Sequence, residues 1–351
     1  MAEWPLRNDL PVVLLHNLDP DWEPQEIRDA QREVGCLEAA IRAEGHPVAN
    51  VAVRDEELVH CLMAFDPREH VVLNWCEGIP GLAHSEALVA RALDLMGFAY
   101  TGSAAGVLAL SWDKRQVKRL LDQRGVSTPR WRVCEDGGDE GWNCFPAIVK
   151  PSLEHCSLGV TADAVVLDRE ELEERIAFIL REFDQPALVE DFIDGREFHV
   201  SLWGNGEVQM LPPAEMDFSA FSNVKDRVCT YDSKFLPGSV HYDKIELRLP
   251  AALDVEEHRL LEETAMAAYR EIGCRDYARV DLRLREGVFY VLDVNPNPDI
   301  SSETSMAAAA ELAGFSYGAM VSRLVNLAAL RHPIYGAEPH WRSVNTRKEM
   351  A

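Results

Sequence analysis

Ala278-Arg-Val-Asp-Leu-Arg-Leu-Arg-Glu-Gly-Val-Phe-Tyr-Val-Leu-Asp-Val-Asn295 is the stretch on which the reading of this chain turns. Val280, Leu282 and Leu284 alternate with Arg279, Asp281 and Arg283. After a turn containing Gly287, Val288, Tyr290, Leu292 and Val294 alternate with Phe289, Val291, Asp293 and Asn295. The pattern predicts a β-hairpin. A three-residue loop, Arg285–Gly287, pairs Leu284 with Val288 and puts odd-numbered residues of both strands on one face. Arg279, Asp281, Asp293 and Asn295 then lie together opposite an apolar face. Three hard oxygen side chains beside a guanidinium suit Mg²⁺ carrying a phosphate. An ordinary amphipathic hairpin with a solvated charged face has the same spacing, so the residues alone leave both readings open.

The chain has 351 residues, enough for two or three domains around a substantial core. A formal charge of -24 leaves no basic surplus to neutralise phosphates, which argues against nucleic acid or anionic membrane as a partner. Small anionic ligands stay open, because a few local lysines and arginines suffice. No basic-then-apolar leader opens the sequence, and no apolar run approaches the roughly 18 residues needed to span a bilayer. The eight cysteines are scattered without a Cys-x-x-Cys pair, as expected of reduced structural thiols in a cytoplasmic protein.

Over the first 110 or so positions, strand-like Pro11–His16, Val48–Val53 and Val71–Asn74 alternate with helical Gln25–Glu44, Asp55–Met63 and His84–Met96, the last leading to Ala99–Gly102. That alternation predicts a doubly wound α/β domain, and its glycines form no dinucleotide fingerprint. A helix follows, with Ser111 as its expected N-cap. Strands over Val126–Val133 and Ala147–Lys150, a helix over Arg169–Phe183 and a strand over Ala187–Glu190 come next. Glu197–Trp203 and Glu207–Leu211 flank the turn Gly204-Asn-Gly206. Pro212–Tyr242 lacks periodicity and is long for a passive connector, which suggests a functional flap. Helices are expected over Val255–Ile272 and Ala307–Leu330, with a tail at the end.

Seven segments now fall in order: Tyr100-Thr-Gly-Ser103, Ser111-Trp-Asp-Lys114, Phe145-Pro-Ala-Ile-Val-Lys150, Glu154–Gly159, Val189–Glu197, Ala278–Asp281 and Leu292–Pro298. Together they resemble the ATP-grasp superfamily, in particular its D-alanine–D-alanine ligase branch, over about residues 70 to 330. The resemblance implies an α/β ATP-grasp fold with an N-terminal doubly wound (pre-ATP-grasp) domain at 1–111. A central lobe at 112–188, a C-terminal lobe with the metal site at 189–335 and a tail at 336–351 would follow.

It also implies roles. Lys114 and Lys150 would hold the ATP α- and β-phosphates, and Glu197 the ribose hydroxyls. Glu190, Asp191, Phe192 and Ile193 would line the adenine edge, largely through backbone groups. Asp281, Asp293 and Asn295 would hold one or two Mg²⁺ ions, with Mn²⁺ able to substitute; the branch usually has glutamate at position 293. Arg279 would stabilise the oxyanion and contact the γ-phosphate, or else pair with a neighbouring aspartate. In the phosphate lid Ser157 and Gly159 are kept, while His155 and Cys156 replace a glycine and a serine. Lys234, in Tyr231-Asp-Ser-Lys-Phe235, would approach the γ-phosphate. Lys225 and Arg227 would meet an anionic substrate or stay solvated.

The match breaks at the substrate ends. Leu15–Pro24 lacks the glycine-rich entry loop, so His16, Asp19, Trp22 and Glu23 would either contact the first substrate or cap the loop. Asn74–Gly81 replaces a His-Gly-x-x-Gly-Glu segment, with Glu77 facing the cleft. Asp299 stands where the branch has an oxyanion-hole glycine, and its carboxylate would repel an acid and bind an amine. Ser301, Ser302, Glu303, Thr304 and Ser305 resemble the segment for the second substrate's carboxylate, or simply cap a helix. The expected activity is an ADP-forming carboxylate–amine ligase working through an acyl phosphate, in specialised metabolism. The alternatives are a D-alanine–D-alanine ligase with an atypical entry loop and a metabolite kinase. A homodimer is expected by family analogy alone.

Overall fold

Strand β1 (Val12–Asn17) begins Val-Val-Leu-Leu and is buried over its first five residues, as a central strand covered on both faces must be. This computed structural model describes residues 6–337 apart from 56, 137, 139, 140 and 156; Cys156 of the lid and 338–351 of the expected tail lie outside the described residues. Helix α1 (Pro24–Ala43) starts with proline at its first turn and a reciprocal Glu23–Glu26 capping box, and buries Val34, Leu37 and Ile41. Strand β2 (Val48–Val53), helix α2 (Leu58–Leu62), strand β3 (Val71–Trp75), helix α3 (Glu86–Met96) and strand β4 (Ala99–Tyr100) complete the unit. The sheet order is β2-β1-β3-β4, all parallel. Its strand ends deliver Trp75 and Glu77 to the edge where such sheets bind ligands.

Helices α4 (Ala105–Trp112) and α5 (Lys114–Gln123) meet at Asp113. Ser111 lies inside α4, so the expected cap is corrected to Asp113, whose carboxylate accepts from the backbone N–H groups of Arg115 and Gln116. Strands β5 (Trp131–Cys134), β6 (Ala147–Pro151) and β7 (Val165–Val166), helix α6 (Arg169–Phe183) and strand β8 (Ala187–Asp191) follow. They form an antiparallel sheet of order β5-β8-β6-β7 backed by α6. The first of these strands starts later than Val126; Pro129 lacks the N–H that a longer ladder needs.

The third sheet is built from β9 (Arg196–Trp203), β10 (Gln209–Met210), β11 (Ala214–Asp217), β12 (Glu246–Arg248), β13 (Tyr277–Arg285) and β14 (Val288–Asn295). The order is β12-β11-β9-β13-β14, with β10 beside β9 and every pairing antiparallel. Two short helices, α7 (Asp232–Phe235) and α8 (Val240–Lys244), lie in the expected flap, and α9 (Val255–Ile272) covers the sheet. The single helix expected over Ala307–Leu330 is two, α10 (Ser305–Leu312) and α11 (Tyr317–Ala329). Gly314, at φ +92°, ends the first, and the Ser316 side chain caps the second. Helix α11 returns to the first sheet: Met320, Leu324 and Val325 share a core with Val12, Leu14 and Leu73. On this packing we propose the expected lobes, with α11 belonging to the first.

The hairpin forms, but with a different register. Its loop is two residues, Glu286 and Gly287 at φ +52° and +77°, and Arg285 pairs with Val288. Positive φ at both central positions matches the twist of the flanking strands. A bulge then leaves Leu292 unmatched between Val291, opposite Leu282, and Asp293, opposite Asp281. Phe289 and Val291 therefore face the core, in place of the expected Val288, Tyr290 and Leu292. Beyond the bulge Arg279 pairs with Asn295, two positions from the expected pairing. Side chains alternate with period two, so a slip of two restores the face. Arg279, Asp281, Asp293 and Asn295 remain together.

Candidate active site

Asp113 fixes the start of α5 and so places Lys114 at the first helical position. The Lys114 ammonium donates to the carbonyl of Glu154 at the lid. Lys118, one turn on along the same helix face, was not singled out from the sequence, although its i+4 spacing from Lys114 is a usable signal. It lies 2.6 Å from Glu190 Oε1, while Lys150 donates to Glu190 Oε2 at 2.8 Å. Burial alone would raise the Glu190 pKa, but the two ammonium groups hold it at about 2. Burial pushes Lys114 down, with Lys150 adding to this and Asp293 and Glu190 opposing it. Lys114, Lys150, Glu190 and Asp293 thus share one electrostatic neighbourhood, drawn from α5, the second sheet and the hairpin of the third.

On the hairpin, Arg279 grips Asp281 through Nε–Oδ1 at 2.8 Å and Nη2–Oδ2 at 3.1 Å. The aspartate partner that the sequence left as an alternative for Arg279 is therefore real in this structure. Asn295 donates to Asp281 Oδ2 at 3.2 Å, and Asp293 Oδ1 accepts from the Val294 N–H at 3.0 Å. Burial opposes ionisation of Asp281, but Arg279, His199 and Lys234 lower its pKa. Two carboxylates and an amide oxygen donor on adjacent paired positions fit a hard divalent ion such as Mg²⁺.

At the end of β8, the Asp191 side chain pairs with Arg285, and its backbone N–H donates to the Arg130 carbonyl at 2.8 Å. Phe192 and Ile193 are buried beside it. Glu197 is buried and accepts from Arg283 Nε at 2.7 Å, with His199 Nε2 at 3.5 Å. Desolvation is outweighed there by Arg283 and His199, and Glu197 is held well below the usual carboxylate range. Glu197, His199 and Cys229 bring potential metal-ligating atoms within 4.8 Å of one another. The Arg283 guanidinium already neutralises that carboxylate, which disfavours a cation there.

Lid and flap are stitched together. Ser157, at φ +60°, donates its hydroxyl to the Cys229 carbonyl at 3.1 Å, and the Tyr231 N–H reaches the Val160 carbonyl at 3.2 Å. Gly159, at φ +73°, packs so closely that a Cβ would meet Phe183 at 2.7 Å. Lys225 pairs with Glu171 at 2.7 Å and Arg227 with Asp194 at 3.0 Å. Neither is free for an anionic substrate; both fasten the flap. Lys234 is exposed on α7, within electrostatic reach of Asp281. His155 stacks edge-on against Trp112 at 4.2 Å, and Trp112 lies 4.4 Å from His84.

The region around Glu77, Glu86 and Asp299 is acidic. Glu77 opens onto solvent but is crowded enough that burial raises its pKa, and Asp299 adds to the rise. Asp299 accepts from Trp75 Nε1 at 3.2 Å and from Ser301. Glu86, missed in the sequence because it sits in the first turn of an ordinary helix, accepts from Asn297 at 3.1 Å. Burial brings its pKa to about 7, Asn297 opposing and Glu77 adding. Thr304 caps α10 and Ser301 is bound to Asp299, while Ser302 and Glu303 are exposed and Ser305 begins the helix. The capping alternative accounts for Thr304. In the segment Leu15–Pro24, His16 is buried against Asn50, Asp19 closes a local turn to Asp21, and Glu23 caps α1, contacts of the kind the capping alternative expects.

Among the described residues no helix is long and apolar enough to cross a membrane, and all seven described cysteines are free. The family model described as D-ala D-ala ligase C-terminus matches residues 130–326. Protein y4sG of Sinorhizobium fredii is 33% identical over 321 residues, 88% of this chain and 91% of that one. The D-alanine–D-alanine ligase of Pseudothermotoga lettingae is 30% identical over 291 residues, 82% of this chain and 90% of the relative. The solved D-alanine–D-alanine ligase of Bacillus anthracis complexed with ATP superposes with a TM-score of 0.71 at 19% identity, covering 92% of this chain and 98% of that one, a likeness of fold. The chain belongs to the D-alanine–D-alanine ligase family of ATP-grasp enzymes.

Proposed function

We propose that this ATP-dependent, ADP-forming ligase joins a carboxylate to an amine through an acyl phosphate. The observation carrying this reading is the hairpin register, which sets Arg279, Asp281, Asp293 and Asn295 on one face, with Asp293 within electrostatic range of Lys114. A carboxylate oxygen attacks the γ-phosphorus, its O–P bond forming as the β–γ bridging bond breaks and ADP leaves. The amine nitrogen then attacks the acyl carbon, the C–O bond to phosphate breaks, and phosphate departs as the amine sheds a proton. Bound Mg²⁺, held by Asp281, Asp293 and Asn295, would supply charge neutralisation for the phosphoryl oxygens. Lys114 and Lys150 orient the α- and β-phosphates, and Lys234 approaches the γ-phosphate. Ser157 holds the lid to the flap over them. Arg279 stabilises the oxyanion. Glu197 receives the ribose hydroxyls, and the Glu190–Ile193 segment lines the adenine edge.

Glu77, Glu86 and Asp299 favour a substrate carrying an ammonium group over one presenting a second carboxylate at that end. That departure supports a product other than the cell-wall dipeptide, in specialised cytoplasmic metabolism. Ligation of two D-alanines is the second reading, favoured by the Pseudothermotoga relative. A panel of carboxylates and amines, D-alanine included, scored for amine-dependent ADP release and product mass, decides between them. ADP release without an amine indicates a kinase, and AMP release refutes the acyl-phosphate route.

A further inference from the structure

Arg283 lies two residues beyond Asp281 on β13 and is 2% exposed. Its guanidinium is stacked between Phe192, at 4.6 Å, and Phe218, at 5.2 Å. Nε donates to Glu197 Oε2 at 2.7 Å, Nη1 to the Ile193 carbonyl at 2.9 Å and Nη2 to the Arg227 carbonyl. The three acceptors belong to the ribose carboxylate, the turn after β8 and the flap. A rigid planar fork can serve three such directions at once, whereas a lysine ammonium on a flexible stem cannot. A carboxylate offers about four acceptor sites, so the single bond from Nε leaves room on Glu197 for sugar hydroxyls.

We propose that Arg283 is the positioning residue for ribose recognition: it aims Glu197 at the 2′ and 3′ hydroxyls and clamps the flap backbone at Arg227 over the same nucleotide. The inference rests on the reading that Glu197 takes the ribose. Without Arg283 the buried carboxylate has lost the partner that fixes its rotamer, and the flap has lost an anchor seven residues before Lys234. Arg285, on the same strand and paired with Asp191, is the internal control.

The test is equilibrium binding of MgATP, Mg-2′-deoxyATP and Mg-3′-deoxyATP to the full chain by calorimetry, which needs no knowledge of the other substrates. A hydrogen bond to a charged group corresponds to roughly tenfold or more in affinity, so the wild type should prefer ATP by about that factor. Glu197→Gln should lose most of the preference. Arg283→Met should bring it within about twofold, chiefly through weaker ATP binding, and Arg285→Met should leave it unchanged. Arg283→Lys, which keeps the charge and guards against a variant that fails to fold, should also lose most of it. If Glu197→Gln keeps the wild-type preference, the ribose reading fails and takes the inference with it. If Glu197→Gln loses the preference while a folded Arg283 variant weakens all three nucleotides alike, Arg283 is merely structural and the inference is overturned.

Discussion

Lys118 and Glu190 form an ion pair 2.6 Å long with side chains only 2% and 1% exposed. Lys150 holds the other carboxylate oxygen, and Lys118 also reaches Thr128 and the Val291 carbonyl. The cluster therefore ties α5, β6, β8 and the hairpin together. Removing one partner of a buried pair typically costs about 3–5 kcal/mol. Lys118→Met should lose a comparable amount in urea unfolding; a loss below about 1 kcal/mol would contradict this account. Glu190 has a folded pKa of about 2 against an ordinary 4.5, so its stabilisation is present above pH 4.5 and is lost as pH falls toward 2.

Asp293→Ala and Arg279→Ala should each lower amine-dependent ADP release by about a hundredfold or more, the first by loss of a proposed Mg²⁺ ligand and the second by loss of the proposed oxyanion partner. Far-UV circular dichroism should show both folds retained. Near-normal turnover of either purified variant refutes its assigned role.

Asp299 holds the Trp75 indole and Ser301, at the end proposed for the substrate. Asp299→Gly should lower kcat/KM for cationic substrates relative to neutral ones by at least about tenfold, as loss of a nearby opposite charge requires. Competition between paired substrates of matched size reads the ratio directly, and an unchanged ratio removes Asp299 from the specificity account.

Glu86 has its pKa raised from 4.5 to about 7, with burial the main cause. Folding then favours the protonated carboxyl. The contribution is fully present below pH 4.5 and is lost as pH rises through 7. Stability measured across that window should fall for the wild type, and Glu86→Gln should flatten the fall. A parallel decline in both proteins would assign the pH dependence elsewhere.

The family, and the grouping of Arg279, Asp281, Asp293 and Asn295 on one face, were legible because they reside in local strings such as Ala278–Asp281 and Leu292–Pro298. The hairpin's face was also legible, though its loop and bulge were not. The two errors summed to two residues, which the strand's period conceals. What stayed hidden depends on distant partners. Lys118 and Arg283 look like surface charges until Glu190 and Glu197 are folded against them, and Glu86 until Asn297 reaches it. The ion pairs of Lys225 and Arg227 were hidden for the same reason, because Glu171 and Asp194 lie far from them in sequence. Asp113 displaced Ser111 as a cap because α4 continues to Trp112.

Helix α11 carries eleven buried residues, and His46 and Ser322 meet at 2.8 Å between the first sheet and that helix. During synthesis, then, the opening sheet is translated long before the element that covers it. Emergence of the roughly 200 intervening residues takes on the order of 10–40 s at ribosomal rates. Throughout that interval Val12, Leu14 and Leu73 lack their final cover. A nascent chain halted before residue 317 would expose this apolar surface, making it a substrate for chaperones. Truncations intended to isolate the nucleotide cleft should retain α11, because its removal would leave the opposite end of the protein uncovered.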